Sequence, residues 1–280
     1  MILSQGNRPD ELDVTLRAVL AQRDAAVDVL VVGNGWEPTG LPEAVRSLSL
    51  ADNVGVPEGR NIGARAVTGD VLFFLDDDAV LVGDDVLVQV AAMFAQQPDL
   101  GVVQARSVDA SGGATAQRHV PRLGGRDPGR SGDVAWFWEG CSFIRRTAFE
   151  AVGEWPGAFF YGHEGIELAW RIVDAGYRIH YAAHLEVRNP PVAPFRGAGH
   201  GRLDGRNRVW VARRNLPAAL AIAYVVLWFC ASVARAGSNA GRREVVAGFG
   251  EGVRAAAGER RPIGWRTCLR LTRLGRPPIV

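Results

Sequence analysis

The chain has 280 residues, 48% of them hydrophobic in type, and its 32 basic and 30 acidic residues leave a formal net charge of +2. That length holds one large domain, or one domain with an appendage, and the apolar fraction is that of a folded protein rather than a disordered one. Cys141, Cys230 and Cys268 are far apart and form no CxxC pair, which argues against a disulfide framework or a zinc site and is consistent with a reducing cytoplasm.

In chain order, Met1–Ser4 reads as the stub of a first strand, short enough to expect a natural start a few residues upstream; no secretory signal pattern is visible. Asp10 is placed to cap a helix through about Gln22, with Leu12, Leu16, Val19 and Leu20 on one face. Val27–Val32 reads as the second strand, ending in the turn Gly33-Asn34-Gly35, and Arg46–Leu50 as a weaker third. Glu58–Val67 is expected to be a short helix, Val71–Leu75 the fourth strand, Asp84–Gln97 a helix and Gly101–Arg106 a strand. Residues 107–133, rich in Gly, Ser, Arg and Asp, read as a long loop. Val134–Arg145 is expected to return as a strand, Glu164–Gly176 as a helix with Leu168 and Ile172 inward and Gly176 closing it, and Arg178–Ala182 as a further strand. Strands alternating with helices predict an α/β fold with a mostly parallel sheet and helices on both faces. No internal repeat is visible.

The small net charge hides a division. Residues 1–195 carry 16 Arg and 26 Asp or Glu, a net of −10, whereas residues 196–280 carry 16 Arg and 4 Asp or Glu, a net of +12. This suggests a catalytic or binding body followed by a basic tail that seeks an anionic partner. Every basic residue is Arg and none is Lys, which reads as high-GC codon usage rather than a functional choice.

Asp76, Asp77 and Asp78 follow directly on the apolar run 71–75. Three adjacent carboxylates repel one another unless a cation or a basic group offsets them. The carboxyl end of a strand is where open α/β sheets bind ligands. A hard divalent cation, with oxygen ligands and positions left for phosphate, fits such a place. An isolated acidic triplet would be read as a solvated turn, but here it stands in an ordered series: Gly6-Asn7-Arg8-Pro9, Gly33-Asn34-Gly35, the run Asn53 to Gly63, the aspartates, Glu139-Gly140-Cys141 with Arg145-Arg146, and Phe159 to Arg171.

In that order, and over roughly residues 1–190, the chain resembles glycosyltransferase family 2. The resemblance implies a GT-A fold and a metal-dependent, inverting transfer of a sugar from a nucleotide-diphosphate donor to an acceptor hydroxyl. It also implies Mg²⁺ or Mn²⁺ as cofactor. Asp78 is then the first choice as metal ligand, with Asp76 on the metal or the ribose and Asp77 the least certain of the three. Gly55, Gly59 and Gly63 would admit a ligand or close packing. Arg60 and Asn61 would join the donor site, with Arg60 reaching a phosphate or the nucleotide. Arg8 and Asn7 are weaker candidates for the same pocket. Asn34 stands where many relatives have an acidic residue that reads the base, and relatives often have a metal-binding His where this chain has Asn189, an acceptable oxygen donor. Relatives usually open the helix near residue 164 with Glu-Asp, the Asp being the base. This chain has Glu164-Gly165, so Glu164 is the substitute and Glu167 the runner-up. Trp138, Glu139 and His163 are candidates for acceptor binding.

Leu216–Ala234 is 19 residues without a charge, flanked by Arg on both sides. It reaches the lower length limit for a membrane span, but a span would leave one Arg set outside. The expectation is a helix lying in the cytoplasmic leaflet with its Arg on anionic headgroups, a single span second and a soluble packed helix third. The domains are expected to be 1–195, catalytic, and 196–280, basic, apolar and helical. The expected partners are a nucleotide sugar, a cell-envelope glycan or lipid-linked acceptor and a membrane surface, with no nucleic acid. A nucleotidyltransferase and a catalytically degenerate nucleotide-sugar-binding scaffold are the alternatives.

Overall fold

The computed structural model describes residues 1–109, 115–189 and 199–279. Among these, nine strands form one sheet: β1 (Ile2–Ser4), β2 (Val29–Asn34), β3 (Val45–Leu50), β4 (Val71–Asp76), β5 (Val80–Leu81), β6 (Leu100–Val108), β7 (Gly132–Asp133), β8 (Cys141–Arg145) and β9 (Arg178–Arg188). The order is β3-β2-β1-β4-β8-β6-β9-β5, with β7 paired to β9. The helices are α1 (Pro9–Leu20), α2 (Val56–Ala66), α3 (Val86–Gln96), α4 (Arg146–Ala151), α5 (Glu164–Asp174), α6 (His200–Asn215), α7 (Ala218–Arg235), α8 (Asn239–Arg254) and α9 (Trp265–Arg273).

The α/β class holds, and the expected parallel pairing describes β3-β2-β1-β4 and β6-β9. The other half is antiparallel, because β8 inserts between β4 and β6 against both, and β5 and β7 run against β9. Successive residues on the central strands face opposite sides, as the two-residue period requires. Val32, Leu72, Phe74 and Ile144 join one core with Leu168 and Ile172 of α5. Val31, Leu75, Val103 and Phe143 join the other with Leu12, Leu16 and Val19 of α1 and Phe94 of α3.

Three local expectations are corrected. Pro9 takes the first helical position of α1, so Arg8 occupies the cap and Asp10 lies in the first turn. Only Cys141–Arg145 of the expected strand at 134–145 is strand. Upstream of it, Val134, Ala135 and Phe137 are drawn into the core, and the Trp138 N–H goes to the Gln104 side chain at 2.9 Å rather than to a ladder. The last long strand, β9, runs to Arg188, six residues past the expected end, and gives β5 its partner.

The C-terminal helices share the body's core. Trp210, Val211, Leu216, Tyr224, Cys268 and Leu271 are buried in one cluster with Phe159, Leu168 and Trp170. The expected boundary at 195/196 lies in residues 190–198, outside the described residues.

For the site, the decisive feature is the order β3-β2-β1-β4. After β1 the chain leaves to one side to form β2 and β3, then returns to form β4 on the other side of β1. The register aligns Ser4 with Gly33 and Leu3 with Asp76, so the carboxyl ends of β1, β2 and β4 open together on a crevice at this switch point.

Candidate active site

Asp76 ends β4 and leads into a turn closed by the Ala79 N–H on the Asp76 carbonyl, 3.1 Å. Its own N–H donates to the Gly140 carbonyl at 2.9 Å, which ties the strand end to the segment before β8. Its carboxylate accepts from Arg60 Nη2 at 3.0 Å, and the Arg60 guanidinium lies 5.5 Å from the centre of the Trp155 ring. Arg60 is buried on α2, and the structure brings it together with Asp76.

Asp77 and Asp78 are also buried, and both are ion-paired to Arg8: Asp77 at 2.7 Å, Asp78 through Nη1. Asp77 further accepts from the Ser4 hydroxyl at 2.7 Å. Burial raises the Asp77 carboxyl, against the hydrogen bond from Ser4 and the charge of Arg8. Burial lifts Asp78 up to about 6, against Arg8 and with Asp76 and Asp77 adding to the rise. The basic groups that offset the three carboxylates are therefore Arg8, for Asp77 and Asp78, and Arg60, for Asp76. Asp77, bound on two sides to β1 and its loop, is a structural member of the triplet rather than a donor contact.

Several expected donor residues are spent on the protein itself. The two ends of the Asn34 amide bind Asn53 Oδ1 and the Val54 N–H, both at 2.9 Å, so it shapes the 53–55 loop and is not presented to a base. Asn61 holds Trp155 through both its carbonyl and its N–H, each at 3.0 Å, and is buried. Gly59 makes no opening for a ligand: a Cβ there would lie 2.6 Å from Leu3, so the glycine lets α2 press on β1. Gly63 likewise packs against Met1, and Gly55, at φ +85°, against Phe160.

Across the crevice lies the N-terminus of α5. Glu164 is buried, and its Oε2 has no hydrogen-bond partner. Burial, then the charge of Glu139, pushes Glu164 up to about 7. Glu139 accepts the Gly165 N–H at 2.9 Å, and burial raises its carboxyl too, against the charge of Arg60. Glu139 thus belongs to the carboxylate pair rather than to a separate acceptor patch.

Glu167 does not join this pair. It is 0% exposed and bound by Arg214 at 2.7 Å and Arg171 at 3.5 Å, so no acceptor reaches it. His163, in left-handed conformation at φ +70°, gives its ring nitrogen to Asp204 of α6 at 2.8 Å and is a structural anchor for that turn. Trp138 stacks on His119, ring centres 4.1 Å apart, which leaves one face for a ligand at most.

Two participants carried no assignment in the sequence. Tyr161, half-buried, lies in the field of Glu164, Glu139 and Asp76; it stands in the aromatic run before Glu164, a usable signal. Asn207 of α6 donates to the carbonyls of Phe159, Tyr161 and Gly162 at 2.9–3.0 Å and so fixes the approach to α5. Nothing local in the sequence marks it.

Among the described residues, no group of three His, Cys, Asp or Glu side chains forms a metal-binding cluster. The oxygen donors available are Asp76, Asp78 and Asn189. The Val80–Arg188 pairing brings the next residue, Asn189, to the aspartate turn, and its Oδ1 is buried with no partner. Two carboxylates and a stranded amide oxygen suit a hard cation whose shell is completed by a ligand's phosphates.

The fold is one that several solved structures share. GalNAc-T7, solved with UDP, GalNAc and Mn²⁺, aligns with a TM-score of 0.64 at 14% identity over 91% of this chain and 55% of its own. The mannosyltransferase PcManGT of Pyrobaculum calidifontis, solved with GDP-Man and Mn²⁺, aligns with a TM-score of 0.55 at 14% identity over 90% and 86%. S. aureus TarS aligns with 0.64 at 12% identity over 96% and 49%. The chain thus spans about half the length of GalNAc-T7 and TarS. No curated protein matches it. The sequence model described as glycosyl transferase family 2 matches residues 6–153, more than half of the chain. The chain belongs to glycosyltransferase family 2.

Proposed function

We propose that this protein transfers a sugar from a nucleoside-diphosphate donor, with inversion, to a hydroxyl of a lipid-linked or cell-envelope glycan. The observation that carries the reading is the ion pair of Arg60 with Asp76 at the switch point, tied through the Glu139-Gly140 segment to the carboxylates of Glu139 and Glu164 at the N-terminus of α5. Arg60 is positioned to meet the diphosphate. Mg²⁺ or Mn²⁺ would be held by Asp76, Asp78 and Asn189, with Asp78 exchanging Arg8 for the cation; such an ion offsets the charge that grows on the leaving diphosphate. The neighbours solved with UDP, GalNAc and Mn²⁺ and with GDP-Man and Mn²⁺ support the same reading.

The test is turnover of UDP-, GDP- and dTDP-sugars with Mn²⁺, wild type against Asp78→Asn. Release of nucleoside diphosphate, lost in the variant, is expected. Release of pyrophosphate would make the protein a nucleotidyltransferase, and turnover of none would make it a binding protein.

The acceptor and the location rest on the C-terminal helices. Of the described helices, α7 alone is long and apolar enough to cross a membrane. One face is held to the body: Tyr224 packs edge-on against Trp170, and Arg208 lies 3.8 Å from the centre of the Trp228 ring. The other presents Ile222, Val226 and Leu227, 67%, 57% and 49% exposed. A helix docked along one side fits a position in the plane of the cytoplasmic membrane surface, with exposed Arg235, Arg242 and Arg243 on anionic headgroups.

A further inference from the structure

Glycine at 165 is not simply a missing side chain. A Cβ there would lie 2.6 Å from Glu139 Cγ and nearer still to its carboxylate. The space into which residue 165 would project is filled by the Glu139 side chain, which reaches it from the segment before β8. There it is held by a hydrogen bond from the Gly165 N–H at 2.9 Å, in the first turn of α5, where the helix favours negative charge.

The other end of the same segment is fixed to the donor side. Gly140 accepts the Asp76 N–H, and its lack of a Cβ lets the Asp76 carboxylate lie against the backbone. Glu139 is therefore set between the end of β4 and the start of α5, in the field of both Arg60 and Asp76. Its neighbour Glu164 is only 5% exposed, with Oε2 enclosed and unpartnered, whereas Glu139 as a residue is half-buried. A base must touch the hydroxyl it deprotonates, and of the two residues Glu139 is the less buried.

We propose that Glu139 is the catalytic base of this enzyme, carried into the space above Gly165 by the loop before β8. The assignment rests on the glycosyl-transfer reading above. In the step it serves, the acceptor O–H gives its proton to the Glu139 carboxylate while the acceptor oxygen forms its bond to the anomeric carbon. The bond from that carbon to the phosphate oxygen breaks, and its electron pair leaves with the nucleoside diphosphate. Burial raises both glutamates above the ordinary carboxylate range, the direction that suits a base working near neutrality.

The test uses the full chain, the sugar nucleotide it turns over, and two readouts: nucleoside diphosphate release and calorimetric binding of that nucleotide. Glu139→Gln is expected to lower kcat by about 10²–10⁴-fold, the usual worth of a general base, with nucleotide affinity unchanged. Glu139→Ala empties the space over Gly165, so the double variant Glu139→Ala with Gly165→Asp sets a carboxylate back into it and is expected to recover at least about tenfold over Glu139→Ala alone. A structural role for Glu139 would not be rescued in this way. Glu139→Gln activity within about threefold of wild type, a loss matched by an equal loss of nucleotide affinity, or a folded double variant no better than Glu139→Ala would each overturn the assignment. Wild-type protein that binds no nucleotide fails the functional reading instead, a result distinct from a loss confined to the Glu139 variants.

Discussion

Replacing Glu164 by Gln removes a carboxyl that burial, reinforced by Glu139, holds protonated up to about pH 7, while in the unfolded chain it ionises near 4.5. Between those values the native state binds a proton that the unfolded state has released, so wild-type stability falls as pH rises through the window. A difference of about 2.5 pH units corresponds to about 3 kcal/mol, complete above pH 7 and absent below about pH 4.5. Gln cannot ionise, so the variant escapes this loss. A chain of 280 residues unfolds with an entropy of about 0.6 kcal/mol per kelvin, which converts 3 kcal/mol to about 5 °C. Thermal unfolding of both proteins at pH 5, 6, 7 and 8 measures it. Part of this loss has already occurred at pH 5, so the midpoint of Glu164→Gln minus that of wild type should rise by about 4 °C across the series. A difference that stays constant with pH would show that Glu164 is not a buried, neutral-leaning carboxyl and would refute the reasoning.

Asn207→Leu removes the amide donor from the Tyr161 and Gly162 carbonyls, while Phe159 keeps Arg206 and the Tyr161 N–H, and is expected to cost about 2–4 kcal/mol in chemical denaturation, with weakened activity because Tyr161 and Glu164 lose their fixed approach. Arg214→Met leaves the fully buried Glu167 without its nearest partner and should cost about 3 kcal/mol; an unchanged denaturation midpoint would contradict the structural role given to Glu167. Arg8→Gln removes the cation that competes for Asp78, so Mn²⁺ without nucleotide should raise the melting midpoint more in this variant than in wild type. Ile222→Asp with Val226→Asp should leave turnover of soluble donor intact but abolish co-sedimentation with vesicles of anionic lipid, whereas binding that persists would remove α7 from the membrane contact.

What was legible in the sequence was what repeats over short distances. Apolar runs at 27–32, 71–75 and 101–106 marked the strands that the structure places at 29–34, 71–76 and 100–108, and the periodicity of Leu12, Leu16 and Val19 marked the buried face of α1. The position of Asp76–Asp78 followed from the run that precedes them. What stayed hidden were partnerships across long stretches of chain. Asn61 is committed to Trp155, 94 residues away, and Asn34 to the loop 19–21 residues on, so two amides that read as free donor contacts are structural. Arg214 reaches Glu167 across 47 residues and removes it from the candidates for the base. Gly165 read as a vacancy in the catalytic helix because Glu139, the side chain that fills it, lies 26 residues earlier. The antiparallel entry of β8 was equally invisible: the direction of a strand is set by where the chain re-enters the sheet, and the composition of 141–145 does not record it.

The central claim is that the crevice over β1, β2 and β4 holds a nucleoside diphosphate with a divalent cation. Thermal shift of purified protein against UDP, dTDP, GDP and their sugars, with and without Mn²⁺ and alongside Asp78→Ala, tests it most directly, since a ligand bound by the folded state alone must raise its stability. The account predicts stabilisation by one nucleotide, dependent on Mn²⁺ and lost in Asp78→Ala, which would also name the base. Well-folded wild-type protein stabilised by no nucleotide, or stabilised equally in Asp78→Ala, would contradict it.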